Sequence, residues 1–287
     1  MRYEAPRSIE EAVALLANAE GDARVLAGGT DLLVQLSAGL VKPALVVDIK
    51  HIGEMREIVQ ADGGFRIGAA VTGAEFGEHA ELKRAWPGVV EAMELVGSTQ
   101  IQGRATAGGN LCNASPAADC VPAMITAAAT CTIAGPAGRR EMAVEDIATG
   151  PGETVLGKGD IVVDFRLPAR PPRSADAYLR LIPRTEMDIA VVGAGVNLSL
   201  DGDGLCKDAR VALCAIGPRT LRVAEVADAL IGSTLDEAAL ERAAAAARAA
   251  CHPIDDKRGT VAYRTKIAGV LVRRATLIAK QRAGNGS

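Results

Sequence analysis

Val25-Leu26-Ala27-Gly28-Gly29-Thr30-Asp31-Leu32 and Ala105-Thr106-Ala107-Gly108-Gly109-Asn110 are the two stretches on which the reading of this chain turns. Each sets a glycine pair behind a β-like run and ahead of a small polar residue. Glycine lets a backbone come close to a ligand, and consecutive unpaired N–H groups form a concavity that binds anions. One Gly-Gly is an ordinary turn. Two of them, about eighty residues apart, predict a diphosphate held between two loops, without a Rossmann helix.

Around these loops the chain alternates. Ser8-Ile9-Glu10-Glu11 and Thr72-Gly73-Ala74-Glu75 are capping boxes that open helices. Strands are predicted at Ala23–Ala27, Ala44–Ile49, Phe65–Val71, Cys131–Ala134 and Asp160–Leu167, the first two as buried strands of a βαβ-like unit. Helices are predicted from Ala85 to Val96 and from Cys120 to Ala129. Pro168–Arg173 reads as a linker. Beyond it come sheet at Ile189–Leu200 and Ala209–Ile216 and helices at Leu235–Ala250, behind Ser233/Thr234, and Ala262–Ala279. Two imitations are set aside. Gly193-Ala194-Gly195 lacks the third glycine and helix of a dinucleotide fingerprint, and Gly152–Lys158 is followed by Gly159 where a Walker loop needs Ser or Thr.

Composition narrows the function classes. The 287 residues suffice for two domains with real cores. Although 49% are hydrophobic, no apolar run approaches the ~18 residues of a membrane span. The N-terminal MRYEAPRSIEEAV has the wrong charge pattern for a signal peptide, so a soluble cytoplasmic protein is expected. A net charge of −3 without a basic cluster argues against nucleic acid as a partner, and any phosphate must be held by local N–H groups. The six cysteines have no C-x-x-C spacing and the three histidines lie far apart, so no metal is expected in this chain.

The wider motifs carry a family resemblance. VLAGGTDLLVQL (25–36) and RATAGGNLCNASPAAD (104–119) resemble the paired signatures of the FAD-binding, or medium, subunits of the molybdenum hydroxylases. That family includes the flavin domain of xanthine dehydrogenase and the medium subunit of carbon monoxide dehydrogenase. The likeness continues through Arg184–Gly193 (RTEMDIAVVG), Asp256–Arg264 (DKRGTVAYR) and GVLVRRA, and so covers essentially the whole chain. It implies an α+β architecture: an FAD-binding fold of the vanillyl-alcohol oxidase and p-cresol methylhydroxylase type over residues 1–172, in subdomains of about 1–57 and 58–172. A C-terminal domain of the carbon monoxide dehydrogenase flavoprotein type follows over residues 173–287.

By this resemblance Ala27, Gly28, Gly29, Thr30 and Asp31, with Thr106, Ala107, Gly108, Gly109 and Asn110, would wrap the FAD pyrophosphate with backbone N–H groups, and Val25, Leu26 and Leu32 beside the first loop would also bind the cofactor. Asp119 would accept hydrogen bonds from sugar or ribityl hydroxyls, or else cap the helix that follows it. Leu156 would sit on the cofactor or in the core. Arg180 would lie by the isoalloxazine or be a solvated strand residue, and Ile189 would cover a flavin face with an aliphatic group. Two departures matter. Gln102-Gly103 replaces the Arg-Asn of many relatives, and no histidine is present in the first loop for covalent attachment, so dissociable FAD is implied.

The family reading also implies partners: a large subunit with a molybdopterin-type molybdenum cofactor and a small subunit with two [2Fe–2S] clusters, together a dimer of heterotrimers. Electrons would leave through FAD to an external acceptor. The wording AGGTDLL leans toward purine and aldehyde hydroxylases. A rival reading is a self-contained flavin oxidase with its own organic substrate; seven aromatics in the whole chain supply little of the cage that it would need.

Overall fold

A computed structural model describes residues 1–285. Arg2–Glu4, Leu45–Asp48 and Ala23–Leu26 form a three-stranded parallel sheet with Leu45–Asp48 in the middle. Parallel neighbours need crossovers, and the helices Ile9–Ala17 and Leu32–Ser37 supply them. Ser8 accepts from the Glu11 N–H as the capping reading requires, but Glu11 reaches back to the Arg7 N–H and not to Ser8. Ala23–Leu26 is an edge strand with Arg24 and Val25 exposed, not a buried one, because one side of it borders a cavity.

A five-stranded antiparallel sheet follows, in the order Ile58–Ala61, Gly64–Gly68, Ile161–Leu167, Thr130–Gly135, Gly138–Ala143. Between Gly68 and Thr130 the chain leaves this sheet for a run of short helices, beginning with the full capping box at Thr72–Glu75. The helix expected over Ala85–Val96 is broken. Ala80–Ala85 and Pro87–Glu94 meet at Trp86, since Pro87 has no N–H to continue the first helix and suits the first turn of the second.

The C-terminal part is a four-stranded antiparallel sheet of Ser174–Leu181, Val192–Leu200, Cys206–Cys214 and Leu221–Arg222. Helices Ala224–Leu230 and Val261–Asn285 cover one face, with Glu237–Ala249 packed on both helices; Cys120–Thr126 and Pro87–Glu94 from the first part cover the other. The alanine-rich helix is capped by Asp236, which accepts from the Ala239 N–H at 2.8 Å, not by Ser233 or Thr234. Period-two alternation in Ser174–Leu181 turns Ala175 and Ala177 toward the C-terminal core and Asp176, Tyr178 and Arg180 toward the first part. The Gly193-Ala194-Gly195 motif has a packing explanation: a Cβ on Gly193 would sit 2.4 Å from the Tyr178 hydroxyl, and one on Gly195 would sit 2.9 Å from the Pro122 carbonyl.

The segment 168–173 is tied down as well as linking. Arg170 lies 3.8 Å over the Trp86 ring and pairs with buried Asp176 at 2.6 Å, and Asp176 also accepts from the Val89 N–H.

Candidate functional site

The first glycine loop is built by an abrupt change of conformation. Strand Ala23–Leu26 ends, Gly29 takes a φ of +79°, and helix Leu32–Ser37 begins two residues after Thr30. The N–H groups of Gly28, Gly29, Thr30 and Asp31 make no hydrogen bond to another group among the described residues. Four donors in a row around a left-handed glycine, opening a helix, are an anion nest. Asp31 holds the N-cap position but its carboxylate makes no capping bond; burial raises its pKa. On the wall of the site that carboxylate can accept from a hydroxyl.

The second glycine motif differs from the sequence reading. It follows a short helix, Thr99–Gln102, not a strand, and Gly108 and Gly109 lie inside a second one, Ala107–Cys112. Thr106 caps it by accepting from the Gly109 N–H at 3.0 Å. The Gly108 N–H is given to the Ala69 carbonyl and that of Asn110 to the Thr106 carbonyl. These three amides are therefore spent within the fold. The motif contributes shape instead: a Cβ on Gly108 would strike Ala69, whereas one on Gly109 would meet only Thr106 Oγ1, at 3.1 Å.

The two motifs touch. A Cβ on Gly28 would fall 2.0 Å from the Arg104 carbonyl oxygen. Between them opens a cavity of about 390 Å³, walled by Val25, Ala27 to Leu32, Thr106, Gly108, Gly109, Asn110 and Leu156 from the expected set. Gln35, Ile49, Cys112, Asn113, Thr154 and Asp160 also line it, and the sequence reading missed them. Unpaired amides on one lip, a glycine face on the other and apolar walls at Val25, Ile49 and Leu156 fit an elongated ligand with an anionic centre, as FAD is.

Leu26 and Ala107 are buried behind this wall. Asp119, Arg180 and Ile189 do not line it. Asp119 neither caps the helix Cys120–Thr126 nor faces the cavity: its carboxylate accepts from Tyr178 Oη at 2.9 Å and Arg180 Nη1 at 2.7 Å. Burial pushes Asp119 up to about 6, with the Arg180 guanidinium and the Tyr178 hydroxyl pulling the other way. Arg180 is thus no solvated strand residue; its side chain is 4% exposed. Ile189 is half exposed, next to Asp188, which is held by Arg258 at 2.8 Å. Tyr178 went unnoticed, although its spacing of two from both Asp176 and Arg180 marks one face of a strand.

Residues 1–170 match the family described as FAD binding domain in molybdopterin dehydrogenase, and residues 177–279 match the CO dehydrogenase flavoprotein C-terminal domain. The chain is 35% identical over 288 aligned positions to the carbon monoxide dehydrogenase medium chain of Afipia carboxidovorans, covering 99% of this chain and 98% of that one. It is 32% identical to a xanthine dehydrogenase FAD-binding subunit of Escherichia coli, over 77% of this chain and 75% of the other. The first-loop lean toward purine and aldehyde enzymes is therefore not reflected in overall likeness. A chain of the reconstituted CO dehydrogenase from Oligotropha carboxidovorans superposes with a TM-score of 0.94 at 35% identity, over 98% of both chains. With an FAD-binding domain followed by this C-terminal domain along nearly its whole length, the chain belongs to the FAD-binding subunits of the molybdenum hydroxylase family.

Proposed function

We propose that this chain is the electron-transfer subunit of a cytoplasmic molybdenum hydroxylase complex. Residues 1–172 hold FAD, and residues 173–287 brace that site. Its partners are a large subunit with the molybdenum cofactor and a small subunit with two [2Fe–2S] clusters, assembled as a dimer of heterotrimers. The carrying observation is the row of unpaired N–H groups at Gly28–Asp31 on the wall of the cavity. No helix among the described residues is long and apolar enough to cross a membrane.

The amides of Gly28, Gly29, Thr30 and Asp31 bind the diphosphate, and the Thr30 hydroxyl assists them. Gly109 leaves room for it on the opposite wall. The Asp31 carboxylate takes a ribose hydroxyl, and Leu156 packs against the cofactor. Asp119 and Arg180 act from the boundary between the two parts, and Ile189 lies on the rim. FAD, when bound, supplies electron relay from the clusters of the small subunit to an external acceptor. None of the residues named transfers a proton in this scheme.

Rapid mixing of substrate with the whole complex, flavin-loaded and flavin-depleted, tests the reading. Depletion should stop turnover with the acceptor and spare substrate-dependent bleaching of the iron–sulfur absorbance. Loss of that bleaching together with the flavin would put this subunit upstream of the clusters and overturn the assignment.

A further inference from the structure

The charged side chains on the cavity wall are few, and most have the wrong sign for an anionic ligand. They are Asp31, Asp160 and Arg24, and Arg24 is engaged by Asp22 at 3.0 Å. The Asp160 side chain is only 10% exposed, so water screens its charge poorly. It is answered from outside the cavity. Arg140, on the strand Gly138–Ala143, gives Nη1 to Oδ1 of Asp160 at 3.2 Å and Nη2 to Oδ2 at 2.7 Å. This is a two-pronged, charge-assisted hold, and it keeps the Asp160 carboxyl below its ordinary range. Arg140 itself does not line the cavity.

The same carboxylate closes a turn. Oδ2 accepts from the Gly157 N–H at 2.8 Å, while the Asp160 N–H goes to the Gly157 carbonyl at 3.0 Å. Leu156, just ahead of this turn, and Ile161, just behind it, both face the cavity. Two glycines make the arrangement possible. A Cβ on Gly135 would fall 2.0 Å from Asp160 Oδ1, and Gly159 takes a φ of +90° with its Cβ position 2.9 Å from Pro136. The hairpin that carries Arg140 is thus shaped to receive this one carboxylate.

We propose that Arg140 is a positioning residue for flavin binding: its fork on Asp160 cancels a negative charge on the cavity wall and pins the turn that presents Leu156. The inference rests on the function proposed above, with FAD in this cavity. Other charged or titratable groups stand around the pair. Lys158 is exposed within the turn. Cys131 is near Arg140, and its thiol is raised to about 12, chiefly by burial, so it stays neutral. Arg24 and Asp31 lie elsewhere on the wall. The Asp31 carboxyl is raised by burial and gives the same background in parent and variants.

The test is FAD affinity of the full flavin-free chain, read by quenching of flavin fluorescence from about pH 5 to 8, the range over which a carboxyl freed of its partner regains its proton. In Arg140→Met the Asp160 charge is uncompensated, so affinity at about pH 8 should fall by about tenfold and recover as the pH is lowered. Asp160→Asn keeps an acceptor for the Gly157 N–H without the charge. The double variant Arg140→Met/Asp160→Asn should therefore bind within about twofold of Asp160→Asn alone at every pH, because the two effects act through one pair. Arg140→Lys, which keeps the charge, should recover most of the affinity. A loss in Arg140→Met that is equal at every pH and persists in the double variant overturns the proposal. So does parent-like affinity in Arg140→Met, or an Arg140→Lys as weak as Arg140→Met. If Arg140→Met does not fold, Arg140→Gln takes its place under the same criteria. A parent chain that fails to bind FAD would overturn the function proposed above and this inference with it; a parent that binds, with variants that behave otherwise than stated, overturns this inference alone.

Discussion

Gly28 lies so close to Arg104 that any side chain on it would occupy the Arg104 carbonyl oxygen, at 2.0 Å from the Cβ position. The obstacle is backbone on a neighbouring segment, which cannot swing aside as a side chain would. Gly28→Ala should therefore push the two glycine motifs apart, costing about 1–3 kcal/mol as an overpacked contact does. Thermal melting and flavin content should fall together in this variant.

Gly109→Val separates those two readouts. Gly109 has no left-handed φ, and its Cβ direction meets only Thr106 Oγ1 at 3.1 Å before the cavity. The protein should tolerate valine with a loss of about 1 kcal/mol at most, from the tightened cap at Thr106, because valine is a better helix former than glycine. The branched side chain fills the space proposed for the diphosphate, so flavin should be absent from a chain that melts nearly as the parent does. Wild-type flavin content in Gly109→Val would place the diphosphate elsewhere.

Asp119 supplies a pH signature. Its carboxyl is raised from 3.8 to about 6, so the folded chain holds this proton more tightly than the unfolded chain. Across the window from about pH 4 to 6 the folded state binds more protons, and this group's contribution to stability falls as pH rises. Asp119→Asn should remove that slope from the melting temperature measured against pH.

Arg170 and Asp176 should matter more than an average surface pair. Arg170 lies over Trp86, and Asp176 is buried on the strand facing the first part of the chain. Arg170→Met leaves the Asp176 carboxylate buried without its cation and should cost about 3–5 kcal/mol in denaturant unfolding. The double variant with Asp176→Asn should recover part of that loss.

Flavin should be FAD, bound one per chain and released in full by acid precipitation. Colour remaining with the denatured protein would contradict the absence of an attaching histidine in the first loop. Preference for FMN would contradict the diphosphate reading.

The first glycine loop was legible because everything that shapes it is local: a strand end, a left-handed glycine and a helix start within eight residues. The second was half legible. Thr106 three residues before Gly109 is cap chemistry, but Ala-Gly-Gly is so poor a helix former that tertiary packing against Ala69 had to override propensity. The place of Asp119 ahead of a helix suggests a cap, and nothing in the spacing points to its partners Tyr178 and Arg180, which lie 59 and 61 residues away on another sheet. Such pairings leave no trace in spacing. The alternation of Asp176, Tyr178 and Arg180 did leave one, since three polar or amphipathic side chains on one face of a strand need something to meet. The break at Trp86-Pro87 was also readable from proline alone.

The unequal use of amides on the two lips sets their exchange with solvent deuterium. The Gly109 and Asn110 amides are already held by Thr106, and that of Gly108 by Ala69, so these should exchange slowly whether or not a ligand is present. Those of Gly28 to Asp31 have nothing to hold them and should exchange fast in the flavin-free chain. Loading FAD should slow the first lip alone, leaving a protection map that is lopsided across a single binding cleft.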